Sequence, residues 1–173
     1  TEGNVVYTRA EIEQGRQVWQ SIGGQQLGSI WGHGAYVAPD WGADWMHREA
    51  EAILDIWAAR EHGVDSYTSL DAPTQASYKA RLQALMRHNS WDEASATITL
   101  DADRVAAIGQ VAAHYTSLFG NEPETAALRE AYAMRNDTVG EAAHREAMTA
   151  FFWWVSWSQV TQRPGQEISY TAN

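Results

Sequence analysis

The sequence predicts an all-α fold interrupted by one long glycine-rich loop. Three observations lead there. Apolar residues recur at three- and four-residue spacing, most clearly as Trp41, Trp45, Ala52, Ile53, Ile56 and Trp57. Capping residues stand at the heads of such stretches, and Gly63, Gly120 and Arg163-Pro164-Gly165 follow their ends. Between Gly23 and Asp40, in contrast, neither a helical nor a strand period runs, although five of the thirteen glycines lie there. Loops of this length without their own secondary structure are usually functional or disordered. Leu27, Ile30, Trp31, Tyr36 and Val37 give it enough apolar surface to pack, so an ordered loop is expected, with glycines that let the backbone approach a neighbour.

In chain order, Thr1 to Tyr7 reads as extended. Thr8-Arg9-Ala10-Glu11 matches a capping box, opening a first helix to about Gln20 or Ile22. Ile12, Gly15 and Trp19 share one of its faces, and Gly15 forms a notch beside the Trp19 ring suited to a close helix crossing. Asp40 is the expected N-cap of a second helix that Gly63 closes. Val64 to Leu70 is a polar connection. Asp71 caps a third helix, Pro73 to His88, with Ala76, Tyr78, Leu82, Leu85 and Met86 as its apolar set. Asn89 to Leu100 is irregular, with a short strand or hairpin edge at Thr97-Ile98-Thr99-Leu100. Asp101 opens a fourth helix to Gly120, Glu122-Pro123-Glu124 a fifth to about Met134, and the last runs from about Val139 to Val160. Ile168 to Asn173 reads as an extended tail. A single domain over residues 1–173 is expected, without repeats or low-complexity tracts.

Composition narrows the function. Nine tryptophans, seven tyrosines and three phenylalanines imply an aromatic-rich core or a large contact surface. A net charge of −10 argues against nucleic acid and against adsorption to an anionic membrane surface. The absence of cysteine excludes disulfides, thiolate metal sites and haem attached through CxxCH. No signal peptide and no apolar run of about 18 residues is present. The first residue is threonine, which fits a mature form or an excised piece.

Few constellations suggest chemistry. Asp44, His47 and Glu51 fall at i, i+3 and i+7 of one helix, yet no HExxH-like spacing accompanies them, and a solvated face is expected. His88, His114 and His144 read as surface or helix-end residues. No GxSxG, Walker-type or GxGxxG pattern occurs, and Gly32-His33-Gly34 is too short for a phosphate cradle. The uncharged stretch Ala147 to Val160 is too short for a membrane span and reads as a core helix. Trp153 and Trp154 point to different faces of it, so one of them should reach a surface.

The strings GRQVWQ and GGQQLGSIWGHGAYVAPDWGADWMHREA resemble the extracytoplasmic segment near the start of quinol-dependent nitric oxide reductases. The resemblance continues through LMRHNSWDEASATITLDADRVAAIGQVAAHYTSLFG, AYAMRNDTVGEAAHREAMTAFFWW and TQRPGQEISYTAN, and so spans nearly the whole chain. It implies a cytochrome c-like helical domain with added helices, excised from an integral membrane protein that reduces NO to N₂O with quinol electrons. It also implies a periplasmic position over the protein's own membrane-embedded catalytic domain. Haem b and non-haem iron, and a calcium ion, would belong to the parent enzyme. The alternative is a free-standing acidic, tryptophan-rich module that binds carbohydrate or protein.

The loop is also similar to the haem-carrying subunit of cytochrome c-dependent nitric oxide reductases, in which CxxCH precedes a GAYxAP string. Aligned on Gly34-Ala35-Tyr36, the two cysteine positions fall on Gly24 and Leu27 and the haem-ligating histidine on Gly28. The resemblance therefore implies a vacated haem site with no covalent haem, filled by Trp19, Trp31 and other rings, and electrons that bypass this domain. Met134 lies near the place of a methionine ligand and receives no role. Gly15 and Trp19 match the face that a cytochrome c first helix packs against its last, here the AFFWWVSW helix. The GAY string implies partial calcium ligands from the Gly34 carbonyl and the Tyr36 hydroxyl. It also implies an interface to the catalytic part through Trp31, His33, Tyr36 and Pro39. No catalytic residue is expected in this chain.

Overall fold

The computed structural model describes residues 3–172. Among the described residues there are six α-helices: α1 Arg9–Ser21, α2 Trp41–His62, α3 Ala72–Arg87, α4 Ala102–Leu118, α5 Ala126–Ala131 and α6 Ala142–Val160. Two two-stranded antiparallel hairpins interrupt them, β1 Ser29–Ile30 with β2 His33–Gly34, and β3 Trp91–Asp92 with β4 Thr97–Ile98. The fold is all-α in the expected sense. Among the described residues, no helix is long and apolar enough to cross a membrane.

Local chemistry sets the helix starts. Thr8 and Glu11 form the reciprocal capping box, each side chain bonding the other's backbone N–H. The carboxylates of Asp40, Asp71 and Asp101 accept from the N–H of Ala43, Thr74 and Arg104 respectively. Gly63 closes α2 at φ +67°, where a side chain would be strained.

α1 and α6 make the closest crossing. A β-carbon on Gly15 would fall inside 3.0 Å of the Ala147 carbonyl and of the Phe151 β-carbon, so glycine lets the two helix backbones touch. The notch beside Trp19 is thus used as expected, and its partner is the AFFWWVSW helix. α2 lies across α4 and α6, and α4 also packs on α6. The main core gathers Trp19, Trp41, Trp45, Tyr115, Phe119 and Phe152. A second cluster, Ile53, Leu54, Trp57, Tyr78, Met86 and Ala107, joins the C-terminal half of α2 to α3 and α4.

Five expectations need correction. The Gly23–Asp40 loop has its own structure, a 3-10 turn at Gly24–Gln26 followed by the β1–β2 hairpin. The fifth helix is short, with a 3-10 turn at Pro123–Thr125 ahead of it, and Ala133 at φ +52° turns the chain out of it before Met134, whose N–H bonds the Arg129 carbonyl. α6 begins at Ala142, since Arg145 donates to the carbonyls of Val139 and Gly140 and holds that segment in a turn. The tail turns back, bridging Gln162 to Ser169, and Ala76 of α3 is exposed. The ends of the expected extended segments, Thr1, Glu2 and Asn173, lie outside the described residues.

Candidate functional site

The Gly23–Asp40 segment is fastened at both ends. Ala35 N donates to the Gln25 carbonyl, Ala38 N to Leu27, and Ser29 N to Pro39. Asp40 does more than cap α2, for its second carboxylate oxygen accepts from Ser29 Oγ and Gly32 N at 2.8 Å each. Burial opposes the Asp40 carboxylate, but the bonds from Gly32, Ser29 and Ala43 outweigh it and hold its pKa below the ordinary value. The loop is therefore a rigid feature hung on the N-terminus of α2.

Its first half lies directly on the aromatic core. Gly24 is buried beneath Trp19, and a β-carbon there would fall inside 3.0 Å of three atoms of the indole. At Gly28 a β-carbon would sit 2.6 Å from Trp41 Nε1 and 2.5 Å from the Pro39 carbonyl. Trp41 is wholly buried, stacked on Phe152 at 5.7 Å and edge-on to Trp19 at 6.2 Å. Phe119, Tyr115 and Tyr132 complete the ring cluster around it. Leu27 is half-buried against the same cluster, and Met134 is a buried member of it. A thioether at residue 24 or an imidazole at residue 28 would need Trp19 or Trp41 to vacate its place. A covalently held haem does not fit these residues.

Trp31 is not among the rings that fill this space. It stands at the tip of β1–β2, 39% exposed, against Trp154 at 5.6 Å. The core position expected for it is taken by Trp41. The reason is local: Ile30 pairs with His33, so Trp31 and Gly32 form a two-residue turn that projects outward.

The second half of the loop faces outward. Tyr36 is 87% exposed, Val37 and His33 are exposed, Gly34 is an exposed strand residue, and Pro39 is half-buried under the loop. Trp31, His33 and Tyr36 thus lie on one continuous stretch of surface chain. Trp153 is buried and Trp154 half-buried, which places one of that pair at a surface.

Asp44, His47 and Glu51 are not brought together. Asp44 turns inward to accept from the Tyr115 hydroxyl and from Arg48 Nε, while His47 pairs with Glu51 at 3.4 Å in solvent. The face is solvated only in part, because the Tyr115 hydroxyl, buried beside stacked Trp45, needs an acceptor and Asp44 is within reach. Burial and the Asp44 charge push the Tyr115 hydroxyl pKa well up. His114, half-buried next to Arg48, is held below its ordinary value first by burial and then by that cation. No group of three or more His, Cys, Asp or Glu residues able to hold a metal occurs among the described residues.

One buried feature left no trace in the sequence pattern. Glu49 is fully buried and accepts from Arg104 Nε at 2.7 Å and from Trp45 Nε1 at 2.9 Å. It links α2 to α4 inside the core. Its two partners are 4 and 55 residues away, and no spacing rule relates the farther one.

A family model described as the NorB cytochrome c-like domain of nitric oxide reductase matches residues 1–173. No curated protein matches the chain.

Proposed function

The chain belongs to the NorB cytochrome c-like domain family of the nitric oxide reductases, and on that premise we propose that it is a haem-free, non-catalytic cap over the membrane catalytic part of a quinol-dependent enzyme. The parent reaction joins two NO molecules with two electrons and two protons to give N₂O and water, and a hydroquinone supplies both. The observation that carries the haem-free reading is the packing of Trp19 on Gly24 and of Trp41 on Gly28. The indole rings of Trp19 and Trp41 lie against the residues that stand at the attachment and ligand positions of a cytochrome c. Electrons then pass from quinol to the haem b and non-haem iron of the membrane part without entering this domain, on the periplasmic side.

The surface string Trp31, His33, Tyr36 and Pro39 is the proposed contact with that membrane part. Tyr36, with its hydroxyl in solvent, is free to meet a group outside this chain. In the parent, the Gly34 carbonyl and the Tyr36 hydroxyl would contribute two oxygens to a shared calcium ion, which takes six to eight oxygen donors. The match over residues 1–173 favours this reading over a free-standing binding module. NO consumption by the full-length parent tests it. A quinol should sustain turnover and reduced cytochrome c should not, and the opposite order would refute quinol dependence.

A further inference from the structure

Away from the rings that fill the core, an open groove of about 770 Å³ lies between the two hairpins. Trp154, Trp157 and Ser158 of α6 form its floor, and Trp31, Trp91 and Tyr170 its walls. His33, Ile98 and Thr171 complete a lining without a single Asp, Glu, Lys or Arg, in a chain of net charge −10. Three of the seven exposed large apolar residues among those described belong to it. Trp31, Trp91 and Tyr170 line it, while Tyr36, Val37 and Ile168 extend the same hairpin and tail.

The groove is built at a conformational cost. Trp31 has φ +53° and Gly32 φ +76°, so the β1–β2 turn places a bulky aromatic where asparagine or glycine is favoured. The strain is held by Asp40, which anchors Gly32 N, and by the Trp31 indole, which donates to the Val155 carbonyl at 3.4 Å. On the other wall Tyr170 stacks on Trp157 at 5.4 Å and accepts from Asn89 at 2.9 Å. Trp31 and Tyr170 are thus held in place before any partner arrives.

A basic spot adjoins the groove across Tyr170. Arg163 Nη2 donates to the Tyr170 and Ala172 carbonyls, and Arg87, His88 and Asn89 share a shallow depression with it, Glu167 standing at the same depression. Neither arginine has a carboxylate partner within 4.0 Å among the described residues, although the chain is strongly acidic. Uncharged Trp and Tyr rings beside guanidiniums that have carbonyl partners but no carboxylate match the layered chemistry of a phospholipid surface, an interface that accepts rings next to phosphate.

We propose that this groove and the Arg87–Arg163 spot dock onto a zwitterionic phospholipid bilayer, with Trp31, Trp91 and Tyr170 entering its interfacial layer and the guanidiniums meeting lipid phosphate. The net charge of −10 disfavours an anionic surface, so a neutral bilayer is the partner. The inference rests on the reductase reading at one edge, where Trp31 and His33 belong also to the surface string proposed above, and it adds that the groove beside that contact meets lipid.

The test uses the 173-residue chain and phosphatidylcholine vesicles with brominated acyl chains. The chain should sediment with the vesicles, and bromine should quench its tryptophan fluorescence. Trp31→Asn, which suits the positive φ and keeps the turn, combined with exposed-site Trp91→Ala should weaken partition about tenfold or more. Arg87→Gln with Arg163→Gln should weaken it by about threefold. No partition to phosphatidylcholine, or partition unchanged in the Trp31/Trp91 variant, overturns the proposal. Equal binding of soluble glycerophosphocholine would make this a headgroup pocket and also overturn it. Protection of the rings only by the parent's membrane part would assign the face to a protein contact instead. Quinol-driven NO reduction in the parent is a separate readout, so failure here leaves that reading intact.

Discussion

Trp19 lies against the Cα of Gly24 so closely that the pair leaves no room for a side chain at residue 24. Gly24→Ala should therefore destabilise the chain by about 1–3 kcal/mol, the usual cost of overpacking, in denaturant unfolding. Shrinking the ring relieves the clash, so Gly24→Ala should cost less in a Trp19→Leu background. Additive losses in that double-mutant cycle would show that the two residues do not compete for space.

Two helix glycines separate close approach from mere flexibility. Gly15 faces the Ala147 carbonyl, whereas nothing lies within 4 Å of a β-carbon on Gly109, an exposed residue of α4. Gly15→Ala should lower the melting temperature, by about 1–3 kcal/mol of stability, through forced separation of α1 and α6. Gly109→Ala should raise it, by about 0.5–1 kcal/mol, from helix propensity alone.

Glu49 and Arg104 form a buried ion pair, and the cost of breaking it is asymmetric. Glu49→Ala leaves a buried guanidinium without its carboxylate and should cost about 3–5 kcal/mol. Replacing both residues with Glu49→Leu and Arg104→Met should cost much less than that single change. Chemical denaturation of the three proteins checks the order.

Acid stability should depend on Glu61. Bonds from Arg81 and then Tyr78 hold its pKa down to about 2, against an ordinary 4.5. Asp103 is depressed by Arg60, against the opposing effect of burial, with a further bond from Trp57 Nε1. Because the folded values are the lower ones, the stabilisation is complete above the unfolded pKa and is lost as pH falls from about 4.5 towards 2. The denaturation midpoint should drop over that window, and Glu61→Gln should flatten the drop. A profile unchanged by the substitution would assign the acid sensitivity to other groups.

Local signals made much of the fold legible. The caps at Thr8, Asp40, Asp71 and Asp101 act within three residues, and Gly63 and Gly15 announce a left-handed stop and a close crossing by their identity alone. What could not be read depends on distant partners. Trp31 and Trp41 are equivalent by composition, and only the Ile30–His33 pairing sends one outward while the α2 start sends the other in. The hairpin itself was hidden because its turn is Trp-Gly rather than Asn-Gly. The groove draws on four separated segments, so none of its residues forms a motif.

The parent enzyme reports on Tyr36, whose exposed hydroxyl is the proposed calcium ligand from this chain. Tyr36→Phe should lower calcium retention or slow haem reduction in the full-length protein while leaving the stability of this chain unchanged. Wild-type values for both would remove the proposed role.

The most direct measurement is the reduced absorption spectrum of this chain, produced together with a cytochrome c maturation system and purified without a metal-binding tag. With Trp19 and Trp41 packed on Gly24 and Gly28, the spectrum should show no c-type haem band and the pyridine derivative no haem. A stoichiometric haem band would contradict the haem-free reading.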